Sequence, residues 1–257
     1  YFNDPIYNDR FNIPTKIGGD AEFGTNFFSS TLYTGNRYAD VHFMIKQQYD
    51  LGQKDSIVGD STIIPLFYPR LRFEHVFKYG TYKLKFMDTP NLEIGYYPSP
   101  LFYDSAYNYT LVDSTLTLLD RWKEMNNEFS IYTFPDAKNQ LQFLKLGVVL
   151  QNLKATTDKF TGSFYNLIAQ GEYRNLTRNK KWDVTLLGKL YLAGLNSGDY
   201  DAFANLKRIV SGKGDYVDLS FRNVNRTPSF SFDSRSSVYF DTPTHLNKEN
   251  ITLLNAS

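Results

Sequence analysis

From Tyr38 to Val224 the chain repeats one pattern, in which apolar and polar residues alternate with a period of two. That period belongs to extended strands, because successive side chains leave the backbone on opposite faces. Over residues 37–49, Ala39, Val41, Phe43 and Ile45 share one face, and Asp40, His42, Met44, Lys46 and Gln48 share the other. Over residues 70–79, Leu71, Phe73, His75, Phe77 and Tyr79 oppose Arg72, Glu74, Val76 and Lys78. Residues 122–132 carry a polar face of Glu124, Asn126, Glu128 and Ser130, and residues 143–153 carry an apolar face of Leu144, Leu146, Val148 and Leu150. Residues 164–175 and 182–192 form the clearest pair. Tyr165, Leu167, Ala169, Gly171 and Tyr173 face one way in the first, and Trp182, Val184, Leu186, Gly188, Leu190 and Leu192 share a face in the second. The short polar connection between them, 176–181, predicts a hairpin. Residues 202–209 and 216–224, joined by a Gly-rich turn at 211–215, predict another. Helical periodicity is weak. Residues 111–125 hold Leu116, Leu118, Leu119 and Trp122 but no cap, and the first half is read as loop.

The expectation is an all-β, antiparallel fold. What surrounds it is a second question. Several runs exceed the ~5–6 residues usual for soluble strands and reach the roughly 9–11 that cross a bilayer in a barrel. The chain is 17% aromatic, yet its mean hydropathy is −0.42. Many aromatics in a polar chain suit strands that meet lipid on one face only. Tyr49, Tyr79, Tyr132, Tyr165, Tyr173 and Trp182 sit near strand ends, where interfacial aromatics belong. Ordinary strand-end tyrosines of a soluble sheet, or the platforms of a carbohydrate-binding sandwich, fit the same positions. The stretches 50–63, 88–120 and 225–238 are read as long polar loops, opposite short turns at 175–181 and 211–215. Short turns on one rim and long loops on the other suit an up-and-down barrel. No composition shift divides the chain, so 1–257 is read as one domain.

The charges exclude some functions. Lys plus Arg number 28 against 27 Asp plus Glu, so no basic excess points to nucleic acid. Cysteine is absent, which removes disulfides, thiolate metal sites and cysteine catalysis. No run is apolar for the ~20 residues a transmembrane helix needs. The first residues, Tyr1-Phe2-Asn3-Asp4, have neither the basic start nor the apolar core of a signal peptide. His42, His75 and His245 have no second ligand at metal-binding spacing. Asp199 and Asp201 follow Gly198 in a loop that could hold calcium, although a solvated turn is the simpler reading. Asp20, Asp50, Asp55 and Asp60 are read as loop residues. Glu124 with Glu128, or Glu172 with Asp183, could converge as a glycosidase pair; lining a lumen is the plainer role. No nucleophile elbow, P-loop or dinucleotide fingerprint is present.

Particular strings carry a resemblance. LFYPRLRFEH (66–75), DRWKEMNNEFSIYTFPDAKN (120–139), GEYRNLTRNKKWD (171–183), GLNSGDYDA (194–202) and NVNRTPSF (223–230) resemble the putative-porin family of Bacteroidota. So do IPTKIGGDAEFGTNFFSSTLYTGN (13–36) and KQQYDLGQKDSIVGDSTII (46–64), and the likeness runs in order across most of the chain. It implies a large transmembrane β-barrel in the bacterial outer membrane, passive passage of small hydrophilic solutes, no cofactor and no catalytic residues. Chains of that family are longer. The chain is therefore expected to be a segment of a larger barrel, lacking N- and C-terminal strands. In such a barrel Arg72, Glu74, Lys78, Glu124, Glu128, Gln170, Glu172, Arg174, Asp183, Lys189 and Lys207 have the parity to line the lumen, since Lys or Arg facing lipid costs ~2–4 kcal/mol at mid-membrane. Residues 225–230 could fold inward as a constriction, though a plain surface loop is preferred. The partners implied are outer-membrane lipid, small solutes, further copies of the chain or an envelope complex. An occluded assembly barrel and a soluble sugar-binding sandwich stay open as alternatives.

Overall fold

A computed structural model describes residues 34–58, 63–88, 116–136, 138–210, 215–237, 239 and 246–257. Nine strands run in chain order: β1 (Thr34–Val58), β2 (Ile63–Asp88), β3 (Leu116–Thr133), β4 (Gln142–Thr156), β5 (Thr161–Leu176), β6 (Trp182–Gly194), β7 (Tyr200–Ile209), β8 (Tyr216–Arg226) and β9 (Glu249–Ala256). They form one sheet in sequence order, each strand antiparallel to the next. The all-β, up-and-down architecture expected from the period is therefore present. The sheet is open among the described residues, with β1 and β9 as its edges, so a closed barrel is not seen. Nor do the described strands make the two packed sheets of a sandwich.

The strands outrun their sequence-read bounds. β1 has 25 residues and β2 has 26. The stretch 50–63 is not the loop expected: β1 continues through Asp50 and Asp55 to Val58, leaving only 59–62 as connection. Alternation is interrupted there by a register shift between Leu51 and Gly52, which disguises the strand. Gly52 is needed at that shift, because a Cβ would collide with the Tyr68 carbonyl. β9 was not anticipated either; its eight residues are too few for a clear period. The connections 89–115 and 227–248 lie at the same end of the sheet, but so do the short turns 157–160 and 195–199. Loop size therefore alternates less strictly than expected. Asp20, Asp60 and His245 lie outside the described residues.

Cross-strand register shows what the two faces carry. On one face Phe43, Phe129, Leu146 and Leu192 are 54, 60, 59 and 50% exposed. Soluble monomers rarely expose contiguous apolar area beyond a few hundred Å²; here the apolar residues run from β1 to β9. On the other face, charged and amide side chains pack against one another. That face also carries two apolar clusters: Val149, Ile168, Tyr191 and Val224, and Tyr82, Trp122, Leu153, Ala155 and Phe230.

Candidate functional site

The polar face is assembled by parity. Residues opposite each other in an antiparallel ladder share a face, and the register places all eleven sequence-read candidates on this one. Arg72 opposes Tyr132, Glu74 opposes Ser130, and Lys78 opposes Asn126. Glu124 opposes Leu153 and Glu128 opposes Val149. Gln170 and Arg174 oppose Lys189 and Thr185, and Glu172 opposes Lys145. Asp183 opposes Lys207.

These groups are joined rather than scattered. Arg72 donates two hydrogen bonds to Asp50, of 2.7 and 2.9 Å. Glu74 is buried and meets Lys46 at 2.5 Å, accepts from the Tyr132 hydroxyl at 2.8 Å, and lies 3.5 Å from Lys145. Lys145 bonds Glu128 at 2.7 Å, and Glu128 also accepts from Gln170 at 2.5 Å and Ser130 at 3.2 Å. Gly147 lies between Ser130 and Gln170 on β4. A Cβ there would stand 2.5 Å from Ser130 Oγ and 3.1 Å from Gln170 Nε2, so its missing side chain lets Gln170 reach Glu128. Glu124 is buried and accepts from Tyr82, Asn126 and Gln151 at 3.0, 2.8 and 2.6 Å; Gln151 in turn accepts from Asn166 at 2.7 Å. Farther along, Arg222 donates to Asp201 at 3.0 and 2.6 Å, and Asn205 to Asp218 at 2.6 Å. A cavity of about 490 Å³ opens here, with Lys145, Glu172, Lys189, Asp201, Phe203 and Arg222 in its lining. Carboxylates and cations thus alternate across it, and no single sign dominates.

Sequence parity alone could have named Lys145, which opposes the row of Leu144, Leu146, Val148 and Leu150. Lys46, Asp201 and Arg222 carry the same signal. Asp50 was hidden by the disguised end of β1.

One end of this face is covered. Residues 227–237 turn back over it instead of forming a plain surface loop. Phe230, in a 3-10 turn at Phe230–Phe232, meets the buried Trp122 edge-on, with ring centres 4.7 Å apart. Arg235 lies over the rings of Phe160, Phe164 and Phe230 at 5.5, 5.0 and 5.5 Å. Asp120, also buried, accepts from the Ser236 hydroxyl at 2.7 Å and the Ser237 N–H at 3.0 Å. Thr157 donates to the Arg235 carbonyl at 2.6 Å. The entry to this segment is fixed by Asp199, which is not a solvated turn residue. It is fully buried, and accepts from the Thr227 N–H and hydroxyl and from Lys248. Gly194 and Gly198, with φ of +107° and +81°, shape the turn that delivers it. The hydrogen-bonded Arg235 guanidinium holds the Asp233 carboxyl below the usual carboxylate range, against lost hydration.

Residues 6–257 match the family described as a putative porin. The chain belongs to the putative porin family. No curated protein matches it, and neither does any solved structure. In this porin-family sheet, five of the six expected girdle aromatics lie on the apolar face. Tyr79 and Tyr165 stand on one cross-strand row, linked through Met125 and Asn152. Tyr49, opposite Phe73, and Tyr173, opposite Leu144, lie towards the other end, and Arg208 covers Trp182 at 4.6 Å. Tyr132 is the exception. Its even position in β3 puts it on the polar face, where it binds Glu74 and lies under Lys145 at 5.2 Å. His75 is stacked on Phe129 at 4.4 Å on the apolar face, and His42 pairs with Asp40. No group of three metal-ligating side chains occurs among the described residues.

Proposed function

We propose that this sheet is part of a larger outer-membrane β-barrel, and that its polar face lines a hydrated path for small hydrophilic solutes. The observation that carries this is the two-sidedness of the sheet: exposed Leu, Phe, Ile and Val on one face, hydrogen-bonded charge on the other. In hydrocarbon the apolar face loses its cost in water, while the charges keep a wet interior. Edge strands cannot stand open in lipid, because each unpaired backbone group costs several kcal/mol. The edges also differ greatly in length, 25 residues against 8. Further strands between β1 and β9 therefore close the barrel. The protein supplies a path and no chemistry, needs no cofactor, and binds no nucleic acid; its surroundings are outer-membrane lipid and envelope partners or further copies. Alternating carboxylates and cations give weak ion selectivity.

The packed cover at 227–237 favours a second reading, an occluded barrel that serves assembly in the envelope. Single-channel conductance of the full chain in planar bilayers separates the two. Discrete openings support the path, and a silent, inserted protein supports the occluded barrel. A protein that stays monomeric in plain buffer without detergent contradicts both.

A further inference from the structure

On β2, β3 and β4 the apolar face ends beyond the Tyr79–Tyr165 row, while Val41 of β1 carries it one rung further, and the outward charges on the next three rungs are all cationic among the described residues. They are Arg37 of β1, Lys83 and Lys85 of β2, Arg121 and Lys123 of β3, and Lys154 of β4. Their neighbours along each strand, Tyr82, Leu84, Trp122, Leu153 and Ala155, are buried on the other face. Lys83, Arg121, Lys123 and Lys154 are exposed. Lys123 stands directly opposite Lys154, and Lys83 opposite Arg121. Like charges facing each other across a ladder repel and destabilise it. No carboxylate shares this face on those rungs among the described residues. Asp120 and Glu124 point to the other side, and Asp158, in the turn 157–160, accepts from the Leu119 backbone N–H at 2.9 Å.

We propose that this patch binds the phosphorylated headgroup of a lipid whose acyl chains lie on the adjoining apolar face. The inference rests on the membrane reading above. Paired cations one to three rungs beyond an apolar surface fit an amphiphilic anion. A phosphate between them removes the cross-strand repulsion, and a hydrocarbon tail covers Tyr79, Met125 and Leu150. A free phosphate would meet the charge but leave the apolar rungs uncovered. The strand ends joined by the longest stretches between strands, 89–115 and 227–248, are at this end together with the short turns 157–160 and 195–199, and long loops mark the outer side of such barrels. The lipid therefore belongs to the outer leaflet.

The test uses the full chain in detergent at physiological salt. Native mass spectrometry compares retention of phosphatidic acid, phosphatidylcholine and inorganic phosphate. The protein is expected to hold phosphatidic acid over phosphatidylcholine by at least about tenfold, because several basic groups act together at a lipid surface. The variant Lys83→Gln/Arg121→Gln/Lys123→Gln/Lys154→Gln should lose that preference. Lys180→Gln/Lys181→Gln, at the opposite end, should keep it. Equal retention by wild type and quadruple variant overturns the proposal, and so does inorganic phosphate held as firmly as the lipid. Heat-modifiable migration of the same samples reports the barrel separately. A heat-shifted band without lipid preference refutes only the lipid site, whereas loss of the shift in wild type refutes the membrane reading beneath it.

Discussion

The two ends of the polar face are built on different principles. Where 227–237 lies over the sheet, Trp122, Leu153, Ala155 and Phe230 are buried together, and polar groups on the rim are held by specific partners, as Asp120 is by Ser236 and Ser237. Across Glu74, Lys145, Glu128, Asp201 and Arg222 the charged side chains hold one another, as Glu74 is held by Lys46 and Tyr132 and Asp201 by Arg222. The covered end gains from removing aromatic surface from water, a large and salt-insensitive term. The uncovered end gains modestly from each pair, because desolvation offsets much of the attraction. Stability should therefore reside in the cover, and the permeation properties of the proposed barrel in the uncovered charges.

The sharpest way to break that contrast is Trp122→Ala. It removes the floor under Phe230 and should cost about 3–5 kcal/mol, read as a lowered urea midpoint in detergent, with new tryptic cleavage after Arg235. An unchanged midpoint would mean that the cover is not a source of stability. Asp120→Ala leaves the Ser236 hydroxyl and the Ser237 N–H without their acceptor, and should cost about 1–3 kcal/mol in the same assay. Gly147→Ala probes the uncovered end. The new methyl crowds Ser130 and parts Gln170 from Glu128, for about 1–3 kcal/mol, and a neutral result would show that Gln170 is not locked there. Glu128→Gln keeps the side-chain shape and removes a charge. Its stability loss should be smaller than that of Trp122→Ala, while the bilayer reversal potential moves towards anions. The smallest effect is expected at Arg178, which pairs with Asp136 at 2.7 Å between two turns but is 70% exposed. Partial desolvation raises the Asp136 carboxyl, and the Arg178 hydrogen bond overrides it, leaving it below its usual range. Whatever this pair contributes is complete above the ordinary carboxylate range and is lost as pH falls through the depressed value. Arg178→Ala should leave the midpoint within error at neutral pH, since such surface pairs are screened.

Much of this was legible in the chain because period-2 alternation reports strand faces directly. The parity of Glu124, Glu128, Gln170, Glu172 and Lys189 needed no structure to assign. Tyr132 was misplaced because nearness to a strand end was given more weight than its even position, which groups it with Glu128 and Ser130. The end of β1, residues 50–58, was lost at the Leu51/Gly52 irregularity, where alternation slips by one residue. The cover was illegible for another reason. Trp122 and Phe230 are separated by most of the sheet in sequence, and no local pattern signals a loop that turns inward. Asp199 looked like a turn residue because its partners, Thr227 and Lys248, lie 28 and 49 residues further along the chain.

The absence of cysteine offers the most direct test of the two-faced sheet. Lys78→Cys and Leu146→Cys would each place one thiol among 257 residues that carry none, on the polar and the apolar face respectively, after insertion of the full chain, with any cysteine outside these residues replaced, into lipid vesicles. The account predicts that Lys78→Cys reacts with a charged, water-soluble thiol reagent, while Leu146→Cys resists it and carries a fluorophore quenched by brominated acyl chains. Equal reaction at both positions, or quenching at Lys78→Cys instead of Leu146→Cys, would contradict a sheet with lipid on one side and water on the other.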